Sequence, residues 1–332
     1  MFSVLVPAFC AEPWLEQCVM SAMDQATGNI EIVICDDCST DDTLITARVL
    51  MERYPLVIRV LENPVNRGLS FTRNRMIDAA RGEYLWFLDA DDFLLPGALG
   101  AVEAAILRHS PDIVSGDYRK DRVHKRAFNG PRNVLLLDPG AIFAGVCGSR
   151  KMYAWLRITR RTMWQNGLRF PEGKLFEDAA VTPFLLLQGA SFIHLSRALV
   201  QYRITALSIM GRINADTKSF RYQANLDLAH ALDGIGDALT AAGVAPGGKS
   251  HFAISHFIAM EFRKIVRRIK RAGPAGTGRT DIADLVQEFR QVMEHAAPVG
   301  FADLSRVYLR KGRFVAWSQL RRAMAAGTPA KP

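Results

Sequence analysis

The chain has 332 residues, 49% hydrophobic and 23% charged, the make-up of a globular protein rather than a disordered or fibrous one. Its five cysteines, at positions 10, 18, 35, 38 and 147, are an odd number behind no leader pattern, which argues against a disulfide framework. The net charge of +9 is unevenly spread: residues 1–120 carry 18 acidic and 10 basic side chains, residues 121–332 carry 15 and 32, so the second part is expected to face something anionic.

In chain order, FSVLVPAF reads as a short buried strand and the stretch 13–23 as a helix. EIVICDD is a second buried strand, followed by STDDT as a helix N-cap and a helix to about Arg53. VIRVLEN is a third strand, and NRGLSFTRNRMIDAARG is a Gly-opened loop feeding a helix that closes at Gly82. EYLWFLD is a fourth strand, with a helix from Pro96 to about His109. Strands without alternation, each followed by a helix, predict a doubly wound α/β domain: a mostly parallel sheet covered on both faces. Beyond residue 120, DPGAIFAGV and the run from Glu177 read as helices, MYAWLRITRRTMWQNGLRF mixes aromatic and basic residues, and SFIHL and LVQYRI read as strands. From about Ala215 the chain is Ala-rich and helical, so the expected division is 1–214 and 215–332. The longest apolar stretch, VTPFLLLQGASFIHL, is too short and too polar to span a bilayer; with no leader, a cytoplasmic protein is expected.

EYLWFLDADDFLLP ends a buried strand in Asp89, Asp91 and Asp92. One of these could simply cap the next helix, which suits Asp92. Carboxylates two apart at a strand end can instead turn toward one hard cation, Mg2+ or Mn2+, that completes its shell with water and a diphosphate. Asp36 and Asp37 end the second strand; they are either a loop cap or acceptors for a nucleobase N–H or ribose. Arg67, Arg73 and Arg75 are expected to bring cations near the metal site. In open α/β sheets these strand ends are where ligands bind. Glu177 and Asp178 open a helix, where acids balance the dipole; Asp178 is also the candidate general base that such a site needs. Cys35 and Cys38 form C-x-x-C with two Asp between, and no second pair follows, which suits neither a redox nor a zinc motif. There is no G-x-G-x-x-G and no G-K-[ST].

The segments VLVPAFCAEPWLEQCVMS, EIVICDDCSTDDT, NRGLSFTRNRMIDAARGEYLWFLDADD and GLRFPEGKLFED, in this order and spacing, resemble family 2 glycosyltransferases with the GT-A fold, of the polysaccharide-biosynthesis type. The resemblance covers nearly all of residues 1–120 and thins out to about residue 210. It implies inverting transfer of a sugar from a nucleoside-diphosphate sugar, UDP-linked above all, to a hydroxyl of a glycan or lipid-linked acceptor. By the same carry-over, Pro7, Phe9 and Glu12 line the nucleotide site, Asp37 bonds the base, Arg73 flanks it, Asp89 lies near ribose or metal, Asp91 binds the metal, and Asp178 is the base. LVQYRITALSIM resembles a later stretch in which Arg203 and Ser208 close over the diphosphate, although Arg203 also reads as an exposed strand residue. Cys10, Cys38 and Met76 depart from the family's usual Asn, Gly and Gly.

In SHFIAMEFRKIVRRIKRAG, Ile254, Ile258, Phe262, Ile265 and Ile269 form an apolar stripe flanked by basic residues. The expectation is a helix packed on the domain, with peripheral contact with an anionic membrane as the competing reading. Two other function classes remain open at this level. A nucleotidyltransferase would want a Gly-rich basic loop after the first strand, which PAFCAEPWLE lacks. A non-catalytic membrane- or nucleic-acid-binding protein would have no need of both DADD and the E-D pair, and no nucleic-acid partner is expected.

Overall fold

In the computed structural model, residues 2–26, 28, 30–205, 220–278 and 281–327 are described. The first four strands are β1 (Phe2–Ala8), β2 (Ile30–Asp36), β3 (Ile58–Glu62) and β4 (Tyr84–Phe87). They alternate with helices α1 (Glu12–Met23), α2 (Thr43–Arg53) and α3 (Leu69–Ala79). Every residue of β1 and β2 is buried, which is why these strands read as unbroken apolar runs. Then come β5 (Phe93–Leu94), α4 (Ala98–His109), β6 (Ile113–Lys120), β7 (Val123–Lys125), β8 (Leu135–Leu136), α5 (Pro139–Ser149), β9 (Arg157–Arg160), α6 (Glu177–Gln188) and β10 (Phe192–Tyr202).

All ten of these strands join one sheet in the order β3-β2-β1-β4-β9-β6-β10-β5, with β7 on β6 and β8 on β10. The block β3-β2-β1-β4 is parallel, and so is β6 with β10. Between them β9 runs antiparallel to both β4 and β6, a mixed insertion that the basic run RITR did not signal. Other expectations need correction too. The fourth strand leads first into the short β5, antiparallel to β10, and only then into a helix. SFIHL and LVQYRI are one strand, kinked by register shifts around Ala198. Helix α3 stops at Ala79 because Ala80 is already extended, short of Gly82. The expected cap of α2 also differs: Asp42 makes no side-chain cap bond, and Asp41 accepts from the Thr43 amide instead.

The expected division at residue 214 lies outside the described residues. Beyond it are α7 (Tyr222–His230), α8 (Ile235–Ala241), α9 (Lys249–Thr277), α10 (Ile282–Ala296), α11 (Phe301–Arg310) and α12 (Phe314–Ala325). Helix α9 breaks at Gly273, whose φ of 64° precedes Pro274. Its stripe, Ile254, Ile258, Phe262, Ile265 and Ile269, is at most 2% exposed. The stripe packs into the helical layer, where α9 meets α5, α10, α11 and α12, and so is not a free face for a bilayer. Among the described residues no helix is long and apolar enough to cross a membrane.

Candidate active site

Because β1, β2, β3 and β4 are parallel, their carboxyl ends open at one edge, and the loops after them share it. The loops after β1 and β2 are stapled together. The Cys10 amide donates to Ser39 Oγ at 2.9 Å, the Ala11 amide to Thr43 Oγ1 at 2.8 Å, and the Glu12 amide to Asp41 Oδ2 at 3.3 Å. Pro7 is buried inside β1, Phe9 is 39% exposed beyond its end, and Glu12 is exposed at the start of α1. Cys10 and Cys38, where the family pattern differs, both hold positive φ, at 51° and 60°.

Asp37 is 4% exposed and works as the anchor of the next loop. Its Oδ1 accepts from Asn63 Nδ2 at 2.7 Å and the Arg67 amide at 2.9 Å, and its Oδ2 from the Gly68 amide at 2.7 Å. Gly68, with φ of 83°, lets the chain turn into α3 there. A base-contacting role for Asp37 would use what acceptor capacity Oδ2 has left. Asp36 caps the loop that follows β2 by accepting from the Ser39 amide, and its Oδ1 is buried without a partner among the described residues.

The three arginines of the loop diverge. Arg75 turns back to the Glu62 carbonyl and Asn63 Oδ1, both at 2.6 Å, and Arg67 lies over Phe71 near Glu172. Only Arg73 enters the site, against the expectation for all three. It is 1% exposed, against the rings of Phe87 and Phe170. Its Nη1 donates to Glu177 Oε1 and Asp178 Oδ1, each at 2.9 Å, and its Nη2 to Asp89 Oδ1 at 3.0 Å. One guanidinium thus gathers carboxylates from the β4 edge and the start of α6. Burial alone would lower its pKa, but Asp178, Asp89 and Glu177 outweigh it and keep Arg73 charged. Phe176, immediately before the acid pair, takes a left-handed conformation with φ of 63°, a strained setting for a bulky residue at the helix entrance.

Burial pushes Asp178 up to about 7; Arg73 opposes this, while Glu177 and Asp89 add to it. Asp91 is likewise raised to about 6 by burial and by Asp89, with Thr205 Oγ1 donating to it at 3.2 Å. Asp92, 1% exposed, is raised by burial and by Asp89 and Asp91; it accepts from the Arg203 amide at 2.8 Å and leaves Oδ2 buried without a partner. Asp92 thus ties the end of β10 to the acidic turn rather than capping a helix. Arg203 lies over Phe93, donates from Nη2 to Gln17, and keeps Nη1 buried without a partner among the described residues. Ser208 lies outside the described residues.

Asp89 raises Asp91, and Asp89 and Asp91 together raise Asp92, so the three carboxylates stand close together, with an orphaned oxygen of Asp92 among them. Among the described residues no group of three or more His, Cys, Asp or Glu side chains is arranged to hold a metal ion. Magnesium or manganese, which keeps several waters and takes oxygens from a phosphate, needs only one or two of these carboxylates.

The sequence reading passed over several residues. Arg157 is 1% exposed with no carboxylate partner among the described residues; it donates to Ser115 Oγ at 2.8 Å and the Lys151 carbonyl at 2.7 Å. Burial lowers its pKa to about 10, and the charge of Asp178 opposes the fall. Tyr153, Trp155 and Tyr202 stack face to face, with centroids 5.1 and 5.9 Å apart, beside the acidic turn. A cavity of about 550 Å3 opens between Trp14, Asp121 and residues 201–205. The only advance sign of these was the mixture of aromatic and basic residues after Lys151. The C-x-x-C pair is not a motif in space: Cys35 is buried, its thiol pushed up to about 12 by burial, and Cys38 is exposed.

The family model described as Glycosyl transferase family 2 matches residues 3–180. Similar curated proteins include Glycosyltransferase GlyA of Streptococcus pneumoniae serotype 4, 27% identical over 61% of this chain and 30% of its own length. Chondroitin synthase of Escherichia coli is 39% identical over 30% of this chain and 14% of its own length. The uncharacterized glycosyltransferase YibD of E. coli K12 is 26% identical over 67% of this chain and 66% of its own length. The chain thus spans between 14% and 66% of the lengths of these relatives. Among solved structures, S. aureus TarS 1–349 in complex with UDP-GlcNAc shares the fold with a TM-score of 0.72 at 19% identity, over 98% of this chain and 90% of that one. The mannosyltransferase PcManGT of Pyrobaculum calidifontis, in complex with GDP-Man and Mn2+, gives 0.53 at 17% identity, over 98% and 85%.

Proposed function

The chain belongs to glycosyl transferase family 2, and from that premise we propose that it moves a sugar, with inversion, from a nucleoside-diphosphate sugar to a hydroxyl of a glycan or lipid-linked acceptor. The observation that carries this reading is the triple contact of Arg73 with Asp89, Glu177 and Asp178, which puts a raised-pKa carboxylate beside an acidic turn at the open sheet edge. That neighbours of the same fold were solved with UDP-GlcNAc and with GDP-Man and Mn2+ supports a nucleoside-diphosphate donor, UDP-linked first.

The loops around Pro7, Phe9, Glu12 and Asp37 form the nucleotide side of the site. Asp89 and Asp91 would hold Mg2+ or Mn2+, which when bound supplies positive charge to the departing diphosphate. Arg203, with an unpartnered Nη1, lies on the phosphate side. Asp178 accepts the proton of the acceptor hydroxyl. The hydroxyl oxygen forms a bond to the sugar's anomeric carbon as the bond to the diphosphate oxygen breaks on the opposite face. Arg73 holds Asp178 and Glu177 in place and offsets the repulsion between them and Asp89.

The test is release of nucleoside diphosphate from a panel of UDP- and GDP-sugars with Mn2+. Wild-type protein turning over at least one donor, with Asp91→Asn and Asp178→Asn both inactive, supports the assignment. Unchanged turnover in either variant would sink it.

A further inference from the structure

Along a wall of aromatic rings that reaches Asp178 through Tyr153 lies a group of cations that the transfer chemistry above does not use. Strand register brings them together. Tyr118 in β6 pairs directly with Lys125 in β7, so these side chains share a face, and Lys120, two residues on, shares it too. On the other side of β6, Tyr202 of β10 stands in register with Lys120, whose Nζ lies 5.4 Å from the Tyr202 ring centre. From the end of α5, Lys151 reaches the same place, with its Nζ 5.8 Å from the Tyr118 ring and 5.9 Å from the Tyr153 ring. Arg150, exposed in a left-handed conformation at the end of α5, and Lys264 of α9 complete the group.

Lys264 has a carboxylate partner, Glu261 at 2.6 Å. Lys120, Lys125, Arg150 and Lys151 have none among the described residues, although Asp121 sits at the nearby hairpin turn. Burial and the charges of Arg150, Lys125, Lys120 and Lys264 lower the pKa of Lys151, which is the strain of like charges held together. The aromatic wall of Tyr118, Tyr153, Trp155 and Tyr202 fixes them, with neighbouring ring centroids between 5.1 and 6.5 Å apart. This wall runs from the acidic turn, whose charges act on Tyr202, to the candidate base, which lies at the Ala154 backbone and whose charge acts on Tyr153.

We propose that the acceptor is an anionic glycan whose phosphate or carboxylate groups dock on Lys120, Lys125, Arg150 and Lys151, presenting the next hydroxyl to Asp178. The inference rests on the transferase reading and adds the chemical class of its acceptor. A membrane is the less favoured source of the anion, because these lysines are half-buried against the wall beside the site and the stripe of α9 is packed inside.

The experiment measures binding of four probes near 0.1 M salt: a hyaluronan decasaccharide, a polyphosphate chain, neutral maltodecaose and phosphatidylglycerol vesicles. UDP with Mn2+ is titrated separately. Three proteins are compared: wild type, the triple variant Lys120→Gln, Lys125→Gln, Lys151→Gln, and a remote control, Lys270→Gln, Arg271→Gln, Arg310→Gln, that removes the same charge. Expected are binding of at least one anionic glycan-like probe over maltodecaose, a loss of about tenfold or more in the first triple variant, no change in the control, and UDP affinity equal in all three. Equal loss in both triple variants, binding of maltodecaose as tight as of the charged probes, binding to vesicles alone, or a parallel loss of UDP affinity would each overturn the proposal. No UDP binding by the wild type would instead defeat the transferase reading beneath it.

Discussion

Arg73 Nη1 donates to Asp178 Oδ1 at 2.9 Å, so the candidate base is held by the same guanidinium that reaches Asp89 at the end of β4. The contact joins two parts of the chain 105 residues apart and brings the acid pair of α6 to the open edge of the sheet.

Removing Arg73 should be costly. Arg73→Met leaves three carboxylates close together without their cation, and breaking a buried ion cluster on one side typically costs about 3 kcal/mol or more. Arg73→Lys should recover only part of this, since a single ammonium does not reproduce the planar fork. Urea unfolding near pH 7.5 measures both; a loss below about 1 kcal/mol for Arg73→Met would contradict the arrangement.

The pH dependence of transfer follows from the raised pKa of Asp178. A base acts only when deprotonated, so kcat/KM should rise as pH increases through about 7 and level off above it. Asp178→Asn should lower the rate by about a hundredfold or more while leaving UDP affinity intact. A flat wild-type profile between pH 5.5 and 8.5 would separate Asp178 from the proton transfer.

Stability without metal should show the opposite trend. Asp178 and Asp91 have folded pKa values raised to about 7 and about 6, so their contribution is fully present below the ordinary carboxylate pKa and is lost as pH rises through 6 to 7. Mn2+ should therefore raise the melting temperature more at pH 8 than at pH 5.5, and Asp91→Asn should stabilise the metal-free protein at pH 8 by about 1 kcal/mol. Thermal melts with and without Mn2+ at both pH values check the sign.

Arg203 carries an unpartnered Nη1 and anchors Asp92 through its backbone amide alone. Arg203→Ala should leave that amide bond in place and weaken UDP by about tenfold, with little effect on uridine, which lacks the phosphates. Equal weakening of both ligands would point to a collapse of the loop.

Much of this was legible in the sequence because the first part of the chain is built from short-range signals. β1 and β2 are buried on both faces and show it as unbroken apolar runs, and Gly68 marks the turn into α3. Asp37, Asp89 and Asp91 could be placed at the open sheet edge in advance because strand ends in a parallel sheet are ordered by topology. The contacts were not legible. Nothing local says that Arg73 rather than Arg75 turns inward, because that choice is made by Phe87 and by Phe170, far along the chain. Strand β9 was missed because Arg157 is a buried arginine in a strand, held by Ser115 and by carbonyls with no acid beside it among the described residues. Lys120 and Lys125 meet through the register of β6, β7 and β10, and Lys151 joins them from beyond α5, an arrangement no single segment encodes.

The most direct test of the central claim is a calorimetric titration of UDP and of GDP into the protein, with and without Mn2+. Binding of one nucleoside diphosphate that requires the metal, disappears in Asp91→Asn and persists in Asp178→Asn is the predicted result. Binding of neither, or binding indifferent to metal and to Asp91, would contradict the assignment of the DADD turn as the diphosphate site.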